Sequence, residues 1–398
     1  MVNADRWLLP DGIGEVLPGQ AEKIELLRRR LLDLYSTWGY ELIIPPLMEF
    51  TESLLISNNK DLDLQTFKVT DQLSGRTMGI RADITPQAAR IDAHSLSRSG
   101  PVRLCYAGSV LHTRPANALA SRSPIQIGVE CFGIGDLMAD IEVISLMAET
   151  LGTARIKNFT LSLGHVDIFR ALTEQAALNV EQTETLLDIL QRKAAKELGD
   201  FLRGSKLDNQ VTNIFKWLIQ LNGDISVLAK ARQQLGATSQ EVLAAIAEIE
   251  QVVVQISNRY PQINIHIDLA ELPGYHYHNG IVFAAYAEGA GAAVANGGRY
   301  DAVGSVFGRA RPATGFNADL KTLMTLSPSI QAGKSGASVK GILATQTNDP
   351  LQWKAILALR EKGERVICVV SGEKINFEEL NCDRQLVQEK NQYTVKAI

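Results

Sequence analysis

The stretch IQIGVECFG, residues 125–133, predicts a β-strand with two different faces. Apolar residues alternate along it with polar or small ones, which is the two-residue period of a strand. Gln126 and Glu130 therefore lie on one face of an otherwise apolar strand. Because two polar side chains in such surroundings are costly to bury without partners, the pattern predicts a binding site on that face of a sheet.

The segments around this strand contain both helical and strand-like patterns. Apolar residues recur at three- and four-residue intervals across residues 20–38, which predicts a helix. Thr85 followed by Pro86 has the pattern of an N-cap with proline in the first turn, and it predicts a helix to about Ser97. Residues 166–259 are helical in pattern, with no clear strand. Strands are predicted at 40–46, 67–71, 76–81, 102–111, 124–133, 159–165, 263–269 and 278–286.

The connections between the predicted strands indicate the fold class. Residues 67–71 and 76–81 flank a turn at Ser74 and Gly75, which predicts a β-hairpin. The other strands are joined by hairpins and long excursions rather than by regular βα alternation. We therefore expect an α+β fold with a mixed, mostly antiparallel sheet flanked by helices, and with a mostly helical insertion at about 170–260.

A change of composition near residue 327 predicts a domain boundary. Residues 327–338, SPSIQAGKSGAS, are rich in serine and glycine and predict a linker. We expect a core domain at 1–326 and a small C-terminal α/β domain at 339–398. The small domain is predicted to contain strand 339–346, helix 350–362, strand 365–371 and a hairpin across residues 389–392.

Composition excludes some classes of function. The 398 residues are 45% hydrophobic and carry a net charge of −4, which disfavours a protein that binds nucleic acid over a large surface. No segment has the length of a signal peptide core or of a membrane span, so we expect a cytoplasmic protein with no membrane partner. The four cysteines never form a CxxC pair, and His276 and His278 share a strand face without a third ligand nearby. We therefore expect no metal and no cofactor.

Two further motifs carry candidate binding residues. In GIRADITPQAAR, residues 79–90, Arg81 and Asp83 precede the predicted helix, where a carboxylate can receive an ammonium group and an arginine can attract a carboxylate. In ANGGRYDAVGSVFG, residues 295–308, paired glycines predict a tight turn beside Arg299 and a tyrosine. Each motif is weak alone, and their order along the chain is the stronger signal.

The ordered set of motifs resembles the histidyl-tRNA synthetase family of class II aminoacyl-tRNA synthetases. The corresponding segments are LPDG (9–12), GYELIIPP (39–46), IRADIT (80–85), IQIGVECFG (125–133) and GGRYD (297–301). Their order and approximate spacing are preserved, and the match covers about residues 5–325. The resemblance implies a class II synthetase core with a dimer interface formed by helix 20–38 and GYELIIPP.

Departures from the family pattern fall on the residues that handle ATP. The resemblance places His112, Pro273 and Thr322 where the family has arginines that bind phosphate or the amino-acid carboxylate, and Arg114 where it has a glutamate. Lys321 is adjacent to the third position. Loss of one preorganised donor commonly lowers a rate by about 10²–10³-fold, so a synthetase without all three is expected to be nearly inert. We therefore expect no catalytic residues and no enzyme activity.

The amino-acid pocket of the family is better preserved than its ATP site. The resemblance implies a histidine site formed by Asp83, Thr85, Gln126, Glu130, Tyr275 and Tyr277, with Arg81 and Arg299 as supporting residues. Two alternatives remain open. In the first, Asp83 and Glu130 are structural carboxylates paired with Arg81 and do not bind a ligand. In the second, Arg299 only holds its own loop in place.

An amino-acid pocket without ATP or tRNA machinery resembles the regulatory subunits of short-form ATP phosphoribosyltransferase. This resemblance implies assembly with a small catalytic subunit, self-association as a dimer, and feedback inhibition by histidine in the first step of histidine biosynthesis. The C-terminal segment of about 60 residues is short for an anticodon-binding domain and has no basic face, which argues against tRNA as a partner. Two alternatives are an active but divergent histidyl-tRNA synthetase and a tRNA-sensing module.

Overall fold

The computed structural model describes residues 8–55, 60–115, 120–205, 207–272, 274–275, 277–327, 340–372, 376–390 and 392–398. The chain forms two compact units. The larger contains residues 1–16 and 24–328, and the smaller contains residues 17–23 and 329–398. The predicted linker at 327–338 lies outside the described residues apart from Ser327, as do Pro273 and His276.

Thirteen α-helices occur in the described part of the chain, and most belong to the larger unit. A π-helix (Ile91–Leu96) continues α4, and a 3₁₀ helix spans Val303–Phe307. None of the described helices combines the length and the apolar character needed to cross a bilayer. The helices are α1 (Pro18–Thr37), α2 (Thr51–Leu54), α3 (Lys60–Gln65), α4 (Thr85–Arg90), α5 (Met138–Thr153), α6 (Val166–Gln175), α7 (Val180–Gln191), α8 (Ala195–Gly204), α9 (Asn209–Leu218), α10 (Val227–Leu235), α11 (Gln240–Arg259), α12 (Leu320–Leu326) and α13 (Pro350–Glu361).

The strands form three sheets. Those of the larger unit are β1 (Glu41–Leu42), β2 (Met48–Phe50), β3 (Phe67–Thr70), β4 (Thr77–Ile80), β5 (Val102–Ser109), β6 (Ile125–Phe132), β7 (Phe159–His165), β8 (Asn222–Gly223), β9 (Asn264–Asp268), β10 (Ile281–Ala287), β11 (Ala295–Arg299) and β12 (Ala313–Asp319). Nine of them pair in the order β1-β5-β6-β12-β11-β10-β7-β9-β8, and β2-β4-β3 form a separate sheet. In the large sheet only β1/β5 and β7/β9 pair in parallel. The predicted mixed, mostly antiparallel α+β sheet is confirmed.

The core of the larger unit follows from the apolar pattern of its strands and helices. Helix α5 buries eleven of its 16 residues, among them the polar Asp140, Ser145 and Thr150, so protein encloses most of its surface. The rings of Tyr35 and Phe316 meet edge to face at 6.3 Å, and the Thr150 hydroxyl donates to Tyr35 Oη over 3.2 Å. These contacts join the face of the sheet at β12 to the helices behind it.

Two predicted elements near the start of the chain differ in the structure. The predicted strand 40–46 shrinks to β1, because Pro45 and Pro46 have no N–H to donate to a ladder. The predicted helix at 85–97 begins with α4 and ends as a π-helix. Thr85 is wrong as an N-cap: it is already helical, no side chain caps α4, and the hydroxyl lies 3.2 Å from Tyr106 Oη instead.

The paired glycines 297 and 298 were wrongly predicted to form a tight turn. Both lie inside β11, where Gly298 pairs with Val282 of β10 on one side and with Gly315 of β12 on the other. A side chain at Gly297 would meet the Phe283 ring 2.8 Å away, so the glycine serves close packing rather than chain reversal. Strands β11 and β12 were both missed, because their many small residues lack the usual β-forming types.

The predicted insertion between β7 and β9 is helical, as expected. It contains α6 to α11, and the missed two-residue strand β8 is its sole strand among the described residues. Asn179, Asp208 and Ser239 cap α7, α9 and α11 by accepting hydrogen bonds from backbone N–H groups. The local sequence thus sets the ends of these helices.

The smaller unit has the expected α/β character. Its strands are β13 (Gly341–Thr345), β14 (Val366–Val369), β15 (Cys382–Glu389) and β16 (Gln392–Ala397), paired in the order β14-β13-β15-β16. The predicted hairpin is confirmed by the antiparallel pair Glu389 and Gln392. Helix α13 packs Ile356 on a core that contains Ile342, Ala344, Val366 and Leu386.

Candidate functional site

A cavity of about 190 Å³ lies in the larger unit, beside β6, β11 and β12 and the start of α4. Its volume is below the roughly 300–1,000 Å³ of pockets for drug-sized ligands, so it fits a small metabolite. The residues that line it are Leu62, Asp83, Thr85, Pro86, Glu130, Gly274, Tyr277, His278, Asn296, Gly297, Tyr300, Gly315, Phe316 and Asn317.

Glu130 is a buried carboxylate in the wall of this cavity. Tyr106 Oη donates to its Oε1 over 2.9 Å, and Tyr300 Oη donates to its Oε2. Burial raises the pKa of Glu130 to about 8, and the nearby Asp83 charge also raises it, while the hydroxyl bonds lower it. No lysine or arginine pairs with Glu130 in the described part of the chain. In its ionised form Glu130 therefore lacks a counterion among the described residues.

Asp83 is held at the start of α4 by a short chain of hydrogen bonds. Gln126 Nε2 donates to Asp83 Oδ1 over 2.8 Å, and the Thr85 N–H donates to the same oxygen over 3.1 Å. Gln126 Oε1 accepts from the Ile84 N–H over 2.8 Å. Gln126 thus fixes the position of Asp83 and does not itself line the cavity.

Tyr277 forms an aromatic wall with a polar end. Its ring lies against the Tyr300 ring, with centroids 5.0 Å apart and a tilt of 34°. Its buried hydroxyl has no hydrogen-bond partner among the described groups. Burial raises the pKa of Tyr277 well above its ordinary value, so the hydroxyl stays protonated. A buried donor without a partner indicates a place that a ligand atom satisfies.

The structure does not bring every predicted site residue to the cavity. Tyr275 points elsewhere: its ring meets Phe169 edge to face at 5.2 Å, with the Arg170 guanidinium 5.8 Å away. Its aromatic contacts therefore lie with α6, and it does not line the cavity.

The two supporting arginines lie behind the cavity rather than in it. Arg81 Nη1 donates to Pro45 O over 2.8 Å, and its Nε donates to Ser109 O over 2.9 Å. It forms no ion pair with Asp83 or Glu130 among the described residues. Arg299 forms a buried ion pair with Asp140 and donates to backbone carbonyls, which positions β11.

The positions where the synthetase family handles phosphate are occupied by internal contacts. His112 Nε2 lies 2.9 Å from Ala82 O, and the Thr322 hydroxyl donates to Asp319 Oδ2 over 2.9 Å at the start of α12. Lys321 Nζ donates to Ser123 O over 2.6 Å. Arg114 is exposed. Within the described chain, no cluster of cations converges beside the cavity.

Several residues of the site were missed from the sequence. Tyr106 and Tyr300 hold Glu130, and Asn296 and Asn317 line the cavity. Tyr300 lies in the GGRYD motif and so carried a signal, whereas Tyr106 reaches Glu130 through the pairing of β5 with β6, which the sequence does not show. The asparagines carried none, because β11 and β12 were not recognised as strands. No group of three potential metal ligands occurs in the described ranges.

Comparison with known proteins identifies the relatives of both units. The family described as Histidyl-tRNA synthetase matches residues 12–323, and the ATP phosphoribosyltransferase subunit HisZ C-terminal domain matches residues 339–396. The ATP phosphoribosyltransferase regulatory subunit of Thioalkalivibrio sulfidiphilus is 50% identical, covering 99% of each chain. The regulatory subunit of Teredinibacter turnerae is 49% identical over 100% of each chain.

Solved structures agree with this fold. A Bacillus halodurans protein described as an ATP phosphoribosyltransferase regulatory subunit/histidyl-tRNA synthetase superposes with a TM-score of 0.81, at 26% identity over 94% of this chain and 95% of that one. Histidyl-tRNA synthetase from Nostoc shares the fold, with a TM-score of 0.75 at 19% identity over 96% of this chain and 91% of that one. The family matches and the near-complete coverage together show that the chain belongs to the ATP phosphoribosyltransferase regulatory subunits, which are built on the histidyl-tRNA synthetase fold.

Proposed function

We propose that this chain is a non-catalytic regulatory subunit that binds histidine and thereby inhibits its catalytic partner. The partner is a short-form ATP phosphoribosyltransferase, which joins ATP and phosphoribosyl pyrophosphate in the first step of histidine biosynthesis. The assembly is cytoplasmic. The observation that carries the histidine assignment is a small cavity with two carboxylates, an aromatic wall and one unpartnered hydroxyl.

Each group of histidine has a complementary group in the cavity. Asp83 is fixed through Oδ1, which leaves its second oxygen for the α-ammonium group. The imidazole ring fits against Tyr277 and Tyr300, with one ring nitrogen at the Tyr277 hydroxyl and the other at Glu130. A ligand cation or N–H donor supplies the partner that the buried Glu130 carboxylate lacks.

The absence of catalysis is supported by the neighbouring contacts. Adenylation develops negative charge on phosphate, which requires preorganised cations that are free to bind it. Lys321 donates to a backbone carbonyl, and His112 and Thr322 are engaged by Ala82 and Asp319. Binding of histidine without its activation is the behaviour expected of an allosteric effector site.

Self-association is supported by exposed apolar residues near β1. Ile44 is 87% exposed and Leu42 and Leu47 are each 49% exposed, next to the edge strand of the large sheet. Exposed apolar residues beside an unpaired edge favour a protein interface. We assign this surface to a dimer of the chain, in agreement with the expected role of residues 39–46.

Two measurements test the proposed function. Isothermal titration calorimetry of the full chain should show one histidine site, which is weakened at least tenfold in Asp83→Asn and unchanged in Asp224→Asn, an exposed aspartate of the insertion. Phosphoribosyltransferase activity should require the chain and should fall with histidine in the same concentration range. Failure of histidine to bind at millimolar concentration would refute regulation through this cavity.

The main competing function is a divergent but active histidyl-tRNA synthetase. It is favoured by the Histidyl-tRNA synthetase family match to residues 12–323 and by the name of the Bacillus halodurans relative, which gives both descriptions. Histidine-dependent exchange between pyrophosphate and ATP distinguishes the two functions. The proposal expects none, and exchange above that of a histidine-free control contradicts it.

A further inference from the structure

The charges around the cavity are one-sided. Asp83 and Glu130 both line it, and no lysine or arginine is among the described lining residues. The neighbouring segment 273–278 has the sequence PGYHYH, which contains neither lysine nor arginine. A ligand with a positive group is therefore attracted, whereas a ligand carboxylate finds no cation among the described residues that line the cavity.

Two asparagines are among the uncharged donors that line the cavity. Asn296 on β11 and Asn317 on β12 are directly opposite each other in the sheet, so their side chains share a face. Both line the cavity. Their side-chain amides have no hydrogen-bond partner in the part of the chain that the structure describes. Each amide has two N–H donors, which suit either a carboxylate or a hydroxyl group.

The sheet around the asparagines leaves room for a ligand to approach them. Gly297 follows Asn296 along β11, and Gly315 lies near Asn317 along β12; both glycines line the cavity. The two amides are therefore accessible across a surface of glycine backbone. They lie on β11 and β12, whereas Asp83 lies at the start of α4, so the ammonium and the carboxylate of the ligand, which share one carbon atom, have different groups available to them.

We propose that the cavity selects imidazole-bearing cations and that the ligand carboxylate is dispensable, because it meets only the neutral amides of Asn296 and Asn317. This inference rests on the proposed function, since it concerns the same histidine site. Neutral hydrogen bonds are about half as strong as charge-assisted ones. L-histidinol, in which a hydroxymethyl group replaces the carboxylate, therefore binds within about tenfold of histidine.

A series of four ligands tests this selectivity by calorimetry on the full chain. Histidine and L-histidinol differ only at the carboxylate position. Histamine and imidazolepropionate are a matched pair of the same chain length, one ending in an ammonium and the other in a carboxylate. At pH 8, above the ordinary imidazole pKa of about 6.5, the imidazole rings of the ligands are mostly neutral, so the matched pair differs in charge only at its terminal group. Histamine should bind, and imidazolepropionate should bind at least 100-fold more weakly.

Substitution of the asparagines separates their role from that of the rest of the site. Asn296→Asp and Asn317→Asp add a negative charge of nearly the same shape. Each substitution should lower the affinity for histidine about tenfold or more. The affinity for L-histidinol should stay within threefold of its original value. Because L-histidinol binding is retained, it also reports that the variant is folded.

The outcomes distinguish this inference from the proposed function. One outcome is that histidine binds tightly and L-histidinol binds more than 100-fold more weakly. This result overturns the inference but leaves the proposed histidine site intact. An equal loss of histidine and L-histidinol in both asparagine variants also overturns it, provided that circular dichroism shows a native fold. If no ligand of the series binds, the histidine site and the inference fail together.

Discussion

The cavity beside Glu130 and the positions where the synthetase family handles phosphate differ in whether their charged and polar groups are already satisfied. In the cavity Glu130 is buried without a basic partner, and the Tyr277 hydroxyl has no partner among the described residues. At the phosphate positions Lys321, His112 and Thr322 are each engaged within the protein itself. In a fold shared with histidyl-tRNA synthetases, the groups proposed to bind histidine are thus left open, whereas those at the phosphate positions are engaged by the protein.

The largest effect is expected from Glu130→Gln, which prevents ionisation at this position with little change of shape. Hydrogen bonds to charged groups contribute about 1.5–3 kcal/mol, so histidine affinity should fall up to about 100-fold. Calorimetry measures this change. Glu197→Gln is the control, because Glu197 is exposed and pairs with Arg192 on the insertion. Unchanged histidine affinity in Glu130→Gln would show that the Glu130 carboxyl is not part of the binding site.

The next prediction concerns Gly315, which lies against Glu130. A Cβ at this position would overlap the Glu130 carboxylate, so Gly315→Ala forces the strand or the carboxylate to move. We expect a loss of about 1–3 kcal/mol in the free energy of unfolding, as for other overpacked sites. Urea unfolding measures it.

The matched control for Gly315 is Gly152 near the end of α5. No atom lies within 4 Å of an added Cβ there, so Gly152→Ala should be neutral or should stabilise by up to about 1 kcal/mol. Equal destabilisation by both substitutions would mean that the close approach at Glu130 is not the cause.

The residues of the cavity beside Glu130 were predicted from the sequence in part. Alternation in residues 125–133 placed Gln126 and Glu130 on one face, since strand period alone decides that. It could not separate their roles: Gln126 holds Asp83, whereas Glu130 lines the cavity, and only the path of the chain around them distinguishes these positions. Tyr275 and Tyr277 are two residues apart, yet turns in this loop send one to α6 and the other to the cavity.

The fold itself was predictable wherever local patterns and tertiary packing agree. The α6–α11 region has caps and apolar faces that suffice to define helices. Strands β11 and β12 were not predictable, because residues such as Gly297 and Gly315 are chosen for close approach to Phe283 and Glu130 rather than for strand propensity. Long-range packing decided those positions.

A smaller effect is expected in the coupling between protons and histidine. The pKa of Glu130 is raised to about 8 from 4.5, chiefly by burial, so the free protein holds a proton there at pH 7. A ligand that favours the ionised form then releases up to one proton, and histidine affinity rises as pH increases toward about 8. Calorimetry at pH 7 in buffers of different ionisation enthalpy measures this release.

The same shift has an opposite effect on the stability of the free protein. Between pH 4.5 and about 8 the folded state binds more protons at Glu130 than the unfolded state does, so this contribution to stability falls as pH rises. The Glu130→Gln variant should lack this slope. Equal pH dependence of unfolding in the variant and the original protein would contradict the assignment to Glu130.

The smallest effect is expected at Thr322, one of the positions where the synthetase family handles phosphate. Thr322→Arg restores one cation, but Lys321 still donates to Ser123 O and His112 still contacts Ala82 O. Since each absent donor lowers a rate by about 10²–10³-fold, one restored arginine leaves adenylation far below detection. Histidine affinity should stay within about twofold, because Thr322 does not line the cavity. Pyrophosphate exchange should remain at background in both proteins. Pyrophosphate exchange that appears in Thr322→Arg alone would contradict this prediction. It would mean that the residue at position 322, and not the internal contacts of Lys321 and His112 as well, prevents adenylation.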